Sequence, residues 1–112
     1  MRRSGAAQTP RSSATLFAAL GDRTRLALVA RLCEKGPLSI TMLTSGSDIT
    51  RQAVTKHLRV LAEAGVVRGT REGRQSVWEL RPRRLEEARR YLDHISKHWD
   101  DTLVRLRAFV ER

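Results

Sequence analysis

Thr50-Arg51-Gln52-Ala53-Val54-Thr55-Lys56-His57-Leu58-Arg59-Val60-Leu61 is the stretch on which the fold turns. On a helical wheel, Val54, Leu58 and Leu61 fall together on one edge. Gln52, Lys56, Arg59 and Glu63 lie opposite, with Thr55 on the flank. Gln can make a two-point bond to adenine and Arg or Lys to guanine, and a Thr methyl can touch a thymine methyl. Arg51, in the first turn, is better placed for a phosphate. His57 sits at the border of the buried edge, where it reads as a groove contact or as a packed or capping residue. An ordinary amphipathic helix also has a polar outer face, and Glu63 belongs to that picture, so the flanking sequence has to decide.

Upstream, Ser39 can cap a short helix that runs to about Ser45 and buries Leu43 and Ile40. Gly46-Ser47-Asp48 reads as a turn, Ile49 packs inward, and Thr50 caps the helix quoted above. Downstream, after Ala64-Gly65, the period changes. Val66-Val67-Arg68-Gly69-Thr70-Arg71 and Gln75-Ser76-Val77-Trp78-Glu79-Leu80 read as two strands. Glu72-Gly73-Arg74 is the hairpin tip, with Gly73 supplying a positive φ. Two arginines, Arg71 and Arg74, with Gln75 beside them, stand on a short turn that can straddle a minor groove or grip the flanking backbone. Helix, turn, helix and basic hairpin in this order is how a winged helix-turn-helix puts a helix into the DNA major groove. The expected fold is therefore mainly α with a small β-hairpin.

The flanks add helices. One runs from about Ser13 to Leu20 with Leu16, Phe17 and Leu20 at helical spacing, and Gly21 ends it. Asp22 is suited to cap the next, which runs to about Lys35 with Leu26, Val29, Ala30 and Cys33 on one side, until Gly36-Pro37 stops it. Residues 1–12 are small, polar and basic, a disordered tail by composition, which leaves 13–112 as one winged helix-turn-helix domain. Arg81-Pro82 starts a last helix over about 82–111. About 29 residues span roughly 44 Å, whereas a compact domain of this length has a radius of gyration of about 13 Å. The helix must project beyond its own globule. Leu85, Ala88, Leu92, Ile95, Trp99, Leu103 and Leu106 nevertheless form an apolar stripe, extended by Phe109 and Val110. A stripe longer than the body beneath it needs a second surface. The expected surface is the same helix of a twofold-related subunit, with the first helix, and so Leu16 and Phe17, beside it. The alternative is a helix packed wholly within one chain.

Composition narrows the function classes. The chain of 112 residues carries 22 Lys+Arg against 12 Asp+Glu, a formal charge of +10. That balance favours a polyanionic partner, mainly nucleic acid and less often an acidic membrane, although arginines also simply solvate a surface. No apolar run approaches the ~20 residues that span a bilayer, so no membrane partner is expected. The N-terminus has no apolar segment of a secretory signal; it is Arg- and Ser-rich like an organelle transit peptide, but short and unpatterned. The single cysteine, Cys33, cannot form an internal disulfide, which fits a reducing cytoplasm; on an apolar face it reads as inert packing. His94 and His98 lie four apart on one helix face, as zinc ligands can, yet two histidines on a charged helix are more often solvated side chains. No metal and no other cofactor is expected. Paired carboxylates in a pocket, a nucleophile with a base and a phosphate-binding Gly loop are all missing, so an enzyme is not expected.

Three motifs in order carry a resemblance to a family. Leu16-Phe17-Ala18-Ala19-Leu20-Gly21-Asp22-Arg23-Thr24-Arg25-Leu26 resembles the opening helix pair of the ArsR/SmtB family of bacterial dimeric transcriptional repressors. The stretch from Thr50 to Val67 is similar to its recognition helix and first wing strand, and Arg71-Glu72-Gly73-Arg74 to its wing tip. The resemblance runs from about Leu16 to Leu106. It implies a winged-helix homodimer, paired through its first and last helices, that binds a near-palindromic operator and blocks transcription. Position by position it implies recognition-helix contacts from Gln52, Thr55, Lys56 and His57, and wing contacts from Arg71 and Arg74. The chain departs from the family at its metal sites. Many members carry paired cysteines before the turn, where this chain has Leu38-Ser39-Ile40-Thr41-Met42-Leu43. Others use Asp and His early in the last helix and His with an acid about ten residues on; Asp93-His94 and His98 have the wrong spacing for that set. Other members similarly lack an obvious ligand site. The expectation is a cytoplasmic homodimer that reads double-stranded DNA, its inducer unidentified. The rivals are a nonspecific nucleoid-type nucleic-acid-binding protein and a winged-helix protein-interaction adapter.

Overall fold

The computed structural model describes residues 10–111. In chain order they form α1 (Pro10–Leu20), α2 (Arg23–Lys35), β1 (Leu38–Ser39), α3 (Ile40–Thr44), α4 (Arg51–Glu63), β2 (Val67–Glu72), β3 (Gln75–Leu80) and α5 (Pro82–Val110). The expected basic tail lies outside the described residues for 1–9. Its last three residues, 10–12, are helical: α1 begins at Pro10 rather than Ser13, because a proline with its φ already set suits a first helical position.

Short-range chemistry sets most of these boundaries. The Asp22 carboxylate accepts the Arg25 N–H at 3.0 Å and starts α2. Ser39 Oγ accepts the Met42 N–H at 3.2 Å and starts α3. Thr50 Oγ1 accepts the Ala53 N–H at 3.0 Å and starts α4. Each satisfies a first-turn donor that has no intrahelical partner.

The expected hairpin is part of a three-stranded antiparallel sheet in the order β1-β3-β2. Leu38 pairs with Trp78 and Ser39 with Val77. Two residues are too few to show a period-two pattern, which is why this strand cannot be read from the sequence. On the other side of β3, Trp78 pairs with Gly69. A Cβ at residue 69 would meet the Trp78 ring at 2.9 Å, so the glycine there makes room for the indole.

The core gathers Leu16 from α1, Leu43 from α3, Val54, Leu58 and Leu61 from α4, and Val66 and Val67 from the start of the sheet, all almost wholly buried. Helix α2 contributes Leu28, Val29 and Leu32. This corrects the expected face of α2: of Leu26, Val29, Ala30 and Cys33 only Val29 is buried, and Cys33 is exposed. Two arginines set the rotation. Arg31 donates to the carbonyls of Leu43 and Met42, both at 2.8 Å, and Arg25 donates to the carbonyl of Ala19 at 2.6 Å. Bonded to the helices on either side, they turn Leu28 and Leu32 inward and leave Leu26 and Cys33 in solvent.

Arg84, in the first turn of α5, ties three elements together. Its Nε donates to Ala64 O at 2.9 Å, and its two Nη groups reach Ser12 Oγ and Ser12 O at 2.9 Å and Glu87 Oε1 at 2.8 Å. Arg84→Ala strands these acceptors and breaks a largely buried ion pair. The expected cost is about 2–3 kcal/mol of stability, read as a lower urea midpoint with an unchanged slope.

Helix α5 leaves the globule. The radius of gyration is 18.0 Å and the longest extent 66 Å, against about 13 Å for a compact chain of this length. Only the N-terminal part of α5 is covered, by α1: Ala88 is buried, and the Tyr91 and Phe17 rings stand 5.8 Å apart.

Candidate nucleic-acid interface

The capping by Thr50 and the burial of Val54, Leu58 and Leu61 orient α4 so that its other face looks outward. Arg51, Gln52, Lys56 and Arg59 are exposed on it. Among the described residues none of the four side chains holds an ion pair or hydrogen bond, so their donors are free for another molecule. Thr55 is half-buried and its hydroxyl donates to Arg51 O at 2.9 Å. His57 faces elsewhere. Half-buried, it is turned toward α2, with Nδ1 at 3.4 Å from Arg25 Nη1 and 3.9 Å from Asp22 Oδ2. Of its two sequence readings, the structure shows the packed one.

The wing is built from two six-residue strands joined by the two-residue loop Gly73-Arg74. Gly73 has φ +64° and no other residue type in the described chain has positive φ. A glycine at the first of two loop positions suits the tight turn whose twist matches the strands. Arg71, Arg74 and Gln75 are exposed at the tip. Nearer the root, Arg68 is paired with Glu79 on the facing strand. Among the described residues Arg71 and Arg74 hold no ion pair, so the wing's cations outside an ion pair stand at its tip, beside Glu72, on the same chain as an outward row of cations on α4.

The α5 stripe is bare. Trp99 is 60% exposed and Leu103 54%, and Leu92, Leu106, Phe109 and Val110 are exposed beside them; Ile95 is half-buried. Leu16 does not join them. It is 1% exposed within its own chain, which corrects its expected place at a partner's surface, because the inner edge of α1 is used to close the core. Phe17 is half-buried against Tyr91.

Residues that could hold a metal do not assemble. Leu38 to Leu43 contains no cysteine. The His94 and His98 rings stack edge-on at 4.5 Å, and no group of three or more His, Cys, Asp or Glu that could hold an ion exists among the described residues. A structural zinc site needs about four converging ligands. No described helix is long and apolar enough to cross a membrane.

Sequence reasoning found the outward face of α4, the wing tip and the α5 stripe. It missed the Arg25–His57 contact, for which the only signal was the placing of His57 at the edge of the buried face.

A helix-turn-helix with its recognition face exposed, followed by a wing with a basic tip, defines a DNA-binding protein of the winged helix-turn-helix class. Comparison with known proteins agrees. A family model described as a helix-turn-helix domain matches residues 20–70. An HTH-type transcriptional regulator of Mycobacterium tuberculosis is 39% identical over 85 residues, covering 76% of this chain and 78% of the relative. The arsenical resistance operon repressor of Escherichia coli is 33% identical over 67 residues, covering 60% of this chain and 57% of the repressor. The solved structure of an ArsR-like transcriptional regulator from Rhodococcus sp. RHA1 superposes with a TM-score of 0.74 at 29% identity, covering 88% of this chain and 92% of that one. The chain belongs to the ArsR/SmtB-type family of winged helix-turn-helix transcriptional regulators, and it is a DNA-binding transcriptional regulator.

Proposed function

We propose that the protein is a sequence-specific cytoplasmic repressor that binds an inverted-repeat operator as a homodimer, without a resident metal or other cofactor. The observation that carries this is the outward face of α4, where Gln52, Lys56 and Arg59 are exposed and hold no ion pair or hydrogen bond among the described residues. Gln52 and Arg59 read base edges and Lys56 adds a guanine or phosphate contact. Thr55, with its hydroxyl committed to the helix backbone, offers its methyl. Arg51 binds phosphate, and Arg71, Arg74 and Gln75 at the wing tip hold the flanking backbone or minor groove. His57 is withdrawn from this set by its contact with α2. Two protomers joined along Leu92, Ile95, Trp99, Leu103 and Leu106, with Phe17 beside them, would hold two such faces in successive major grooves.

Selection of bound duplexes from a random DNA pool tests the reading. Two inverted half-sites centred about 10–10.5 base pairs apart, or a multiple of that, are the expected outcome. Recovery of unrelated sequences would favour the nonspecific nucleoid-type protein, which the charge of +10 also suits; recovery of none would favour the adapter.

On the selected operator, Gln52→Ala and Arg59→Ala are each expected to lose about 1–3 kcal/mol of discrimination at one base position. Arg74→Ala is expected to weaken all sequences alike and to reduce the slope of log K against log salt by about 0.9. Competition binding at several salt concentrations separates the two behaviours. Intact discrimination in the Gln52 variant would remove that residue from base reading.

A further inference from the structure

The seam where α1, α2 and α4 meet holds a contact that base reading does not use. Arg25, in the first turn of α2, reaches in three directions. Its Nε donates to Ala19 O at 2.6 Å, Nη2 donates to Ala18 O at 3.4 Å, and Nη1 stands 3.4 Å from Nδ1 of His57. The two carbonyls lie in the last turn of α1, where carbonyls run short of helical donors and a cation is favoured by the helix dipole. His57 lies in the middle of α4. Beside Arg25, α1 and α4 leave an open groove of about 330 Å³ lined by Thr15, Ala18, Ala19, Val60 and Glu63 among others. Arg25 thus bridges α1 and α4 at the open edge of a seam whose inner side carries core residues of both helices, Leu16 and Ala19 from α1 and Leu58 and Leu61 from α4.

The bridge depends on the state of one ring nitrogen. A guanidinium is always a donor. The Arg25–His57 contact therefore exists only while Nδ1 accepts, which requires a neutral ring carrying its proton on Nε2. Asp22 Oδ2 waits 3.9 Å from the same nitrogen. The backbone N–H of Arg25, bonded to the Asp22 carboxylate, holds that carboxyl below its ordinary range against the opposing effect of desolvation. Asp22 is accordingly ionised wherever an imidazole titrates. A proton on Nδ1 sets donor against donor at Arg25 and turns the ring toward Asp22. The charged groups around the ring are Asp22 and Arg25 from α2, with Lys56 and Arg59 on the solvent side of α4 and Glu63 in the groove beyond Arg25; α1 brings the carbonyls that hold Arg25.

We propose that Arg25 is a positioning residue for DNA binding: through neutral His57 it ties the recognition helix to α1, and protonation of His57 releases the tie and weakens binding. This rests on the homodimeric DNA-binding reading above, in which α1 lies beside the twofold interface and its angle to α4 sets where the two recognition helices stand.

The test measures affinity for the selected operator by fluorescence anisotropy between pH 8 and 5.5 at constant ionic strength, the range in which imidazoles change charge. Wild type is expected to weaken about tenfold as the pH falls, the equivalent of one hydrogen bond to a charged group. His57→Gln, whose amide oxygen accepts at every pH, is expected to lose the pH dependence and to bind better than His57→Leu at pH 8. Arg25→Met, which keeps the stem and deletes the guanidinium, is expected to bind as weakly as His57→Leu; should it not fold, the two His57 variants decide. Binding that strengthens on acidification would make His57 a phosphate contact and overturn the proposal, as would an unchanged pH slope in His57→Gln. Long-range proton–nitrogen spectra of the free protein at pH 8 report the tie without DNA. A His57 ring with Nδ1 bare and Nε2 protonated supports it; the opposite tautomer ends it. A protein that binds no duplex would overturn the DNA reading, and the ring spectrum would still judge the tie.

Discussion

Trp99→Asp combined with Leu103→Asp is expected to leave the protein monomeric at roughly ten micromolar and to lower operator affinity by about 10²–10⁴-fold, the range by which linking two binding modules exceeds one. Both side chains are more than half exposed in the isolated chain, so neither supports the fold of its own protomer. Helix content and melting of the separated chains should therefore be close to those of any well-folded monomer. In the proposed dimer the same positions lie on the shared stripe, and two carboxylates per helix, doubled by the twofold axis, would be desolvated without counter-charges. Val104→Asp is the control. Residue 104 is also exposed and apolar but lies about 140° round the helix from Trp99, off the stripe, and the dimer should survive it. Sedimentation equilibrium with anisotropy on the operator reads both properties. A double variant that remains dimeric would mean that α5 does not join the protomers.

Leu58→Ala is expected to have the largest effect on stability, about 3–5 kcal/mol. The side chain is fully buried at the centre of the core, between the two other inward residues of α4, Val54 and Leu61. Truncation there loses the transfer energy of the removed carbons and leaves a cavity that the surrounding helices fill only partly. Against a total of about 5–15 kcal/mol for a domain, this brings the chain near its folding threshold and lowers the melting temperature by about 15–30 °C. Arg59→Ala, one residue along, should leave melting within a degree or two, because that side chain is exposed and has no ion pair or hydrogen bond among the described residues; in the proposed reading its loss is felt at the DNA. Calorimetry on the two variants separates the inner from the outer edge of one helix. Equal melting temperatures would mean that α4 is rotated from the orientation described.

What could be read from the residues alone is what nearest-neighbour chemistry dictates. Asp22, Ser39 and Thr50 each cap a helix by bonding an N–H three residues on. Gly73 turns the wing by a backbone conformation other residues avoid. The 29-residue α5 and its apolar stripe follow from a proline at the first helical position and uninterrupted spacing without Gly or Pro from Arg83 onward. The outward row of α4 follows from the same wheel arithmetic, since Val54, Leu58 and Leu61 leave that helix a single apolar edge. The tertiary structure decided matters that depend on partners far along the chain. In α2 two apolar edges lie side by side, and it took the bonds from its own Arg25 to α1 and from its Arg31 to α3 to choose Leu28 and Leu32 over Leu26 and Cys33. Leu38-Ser39 became a strand only because β3 was there to pair with it. Leu16 went to the core and His57 to Arg25 for the same reason: a residue with two acceptable environments is settled by the distant surface that packs against it, and no local pattern records which one that is.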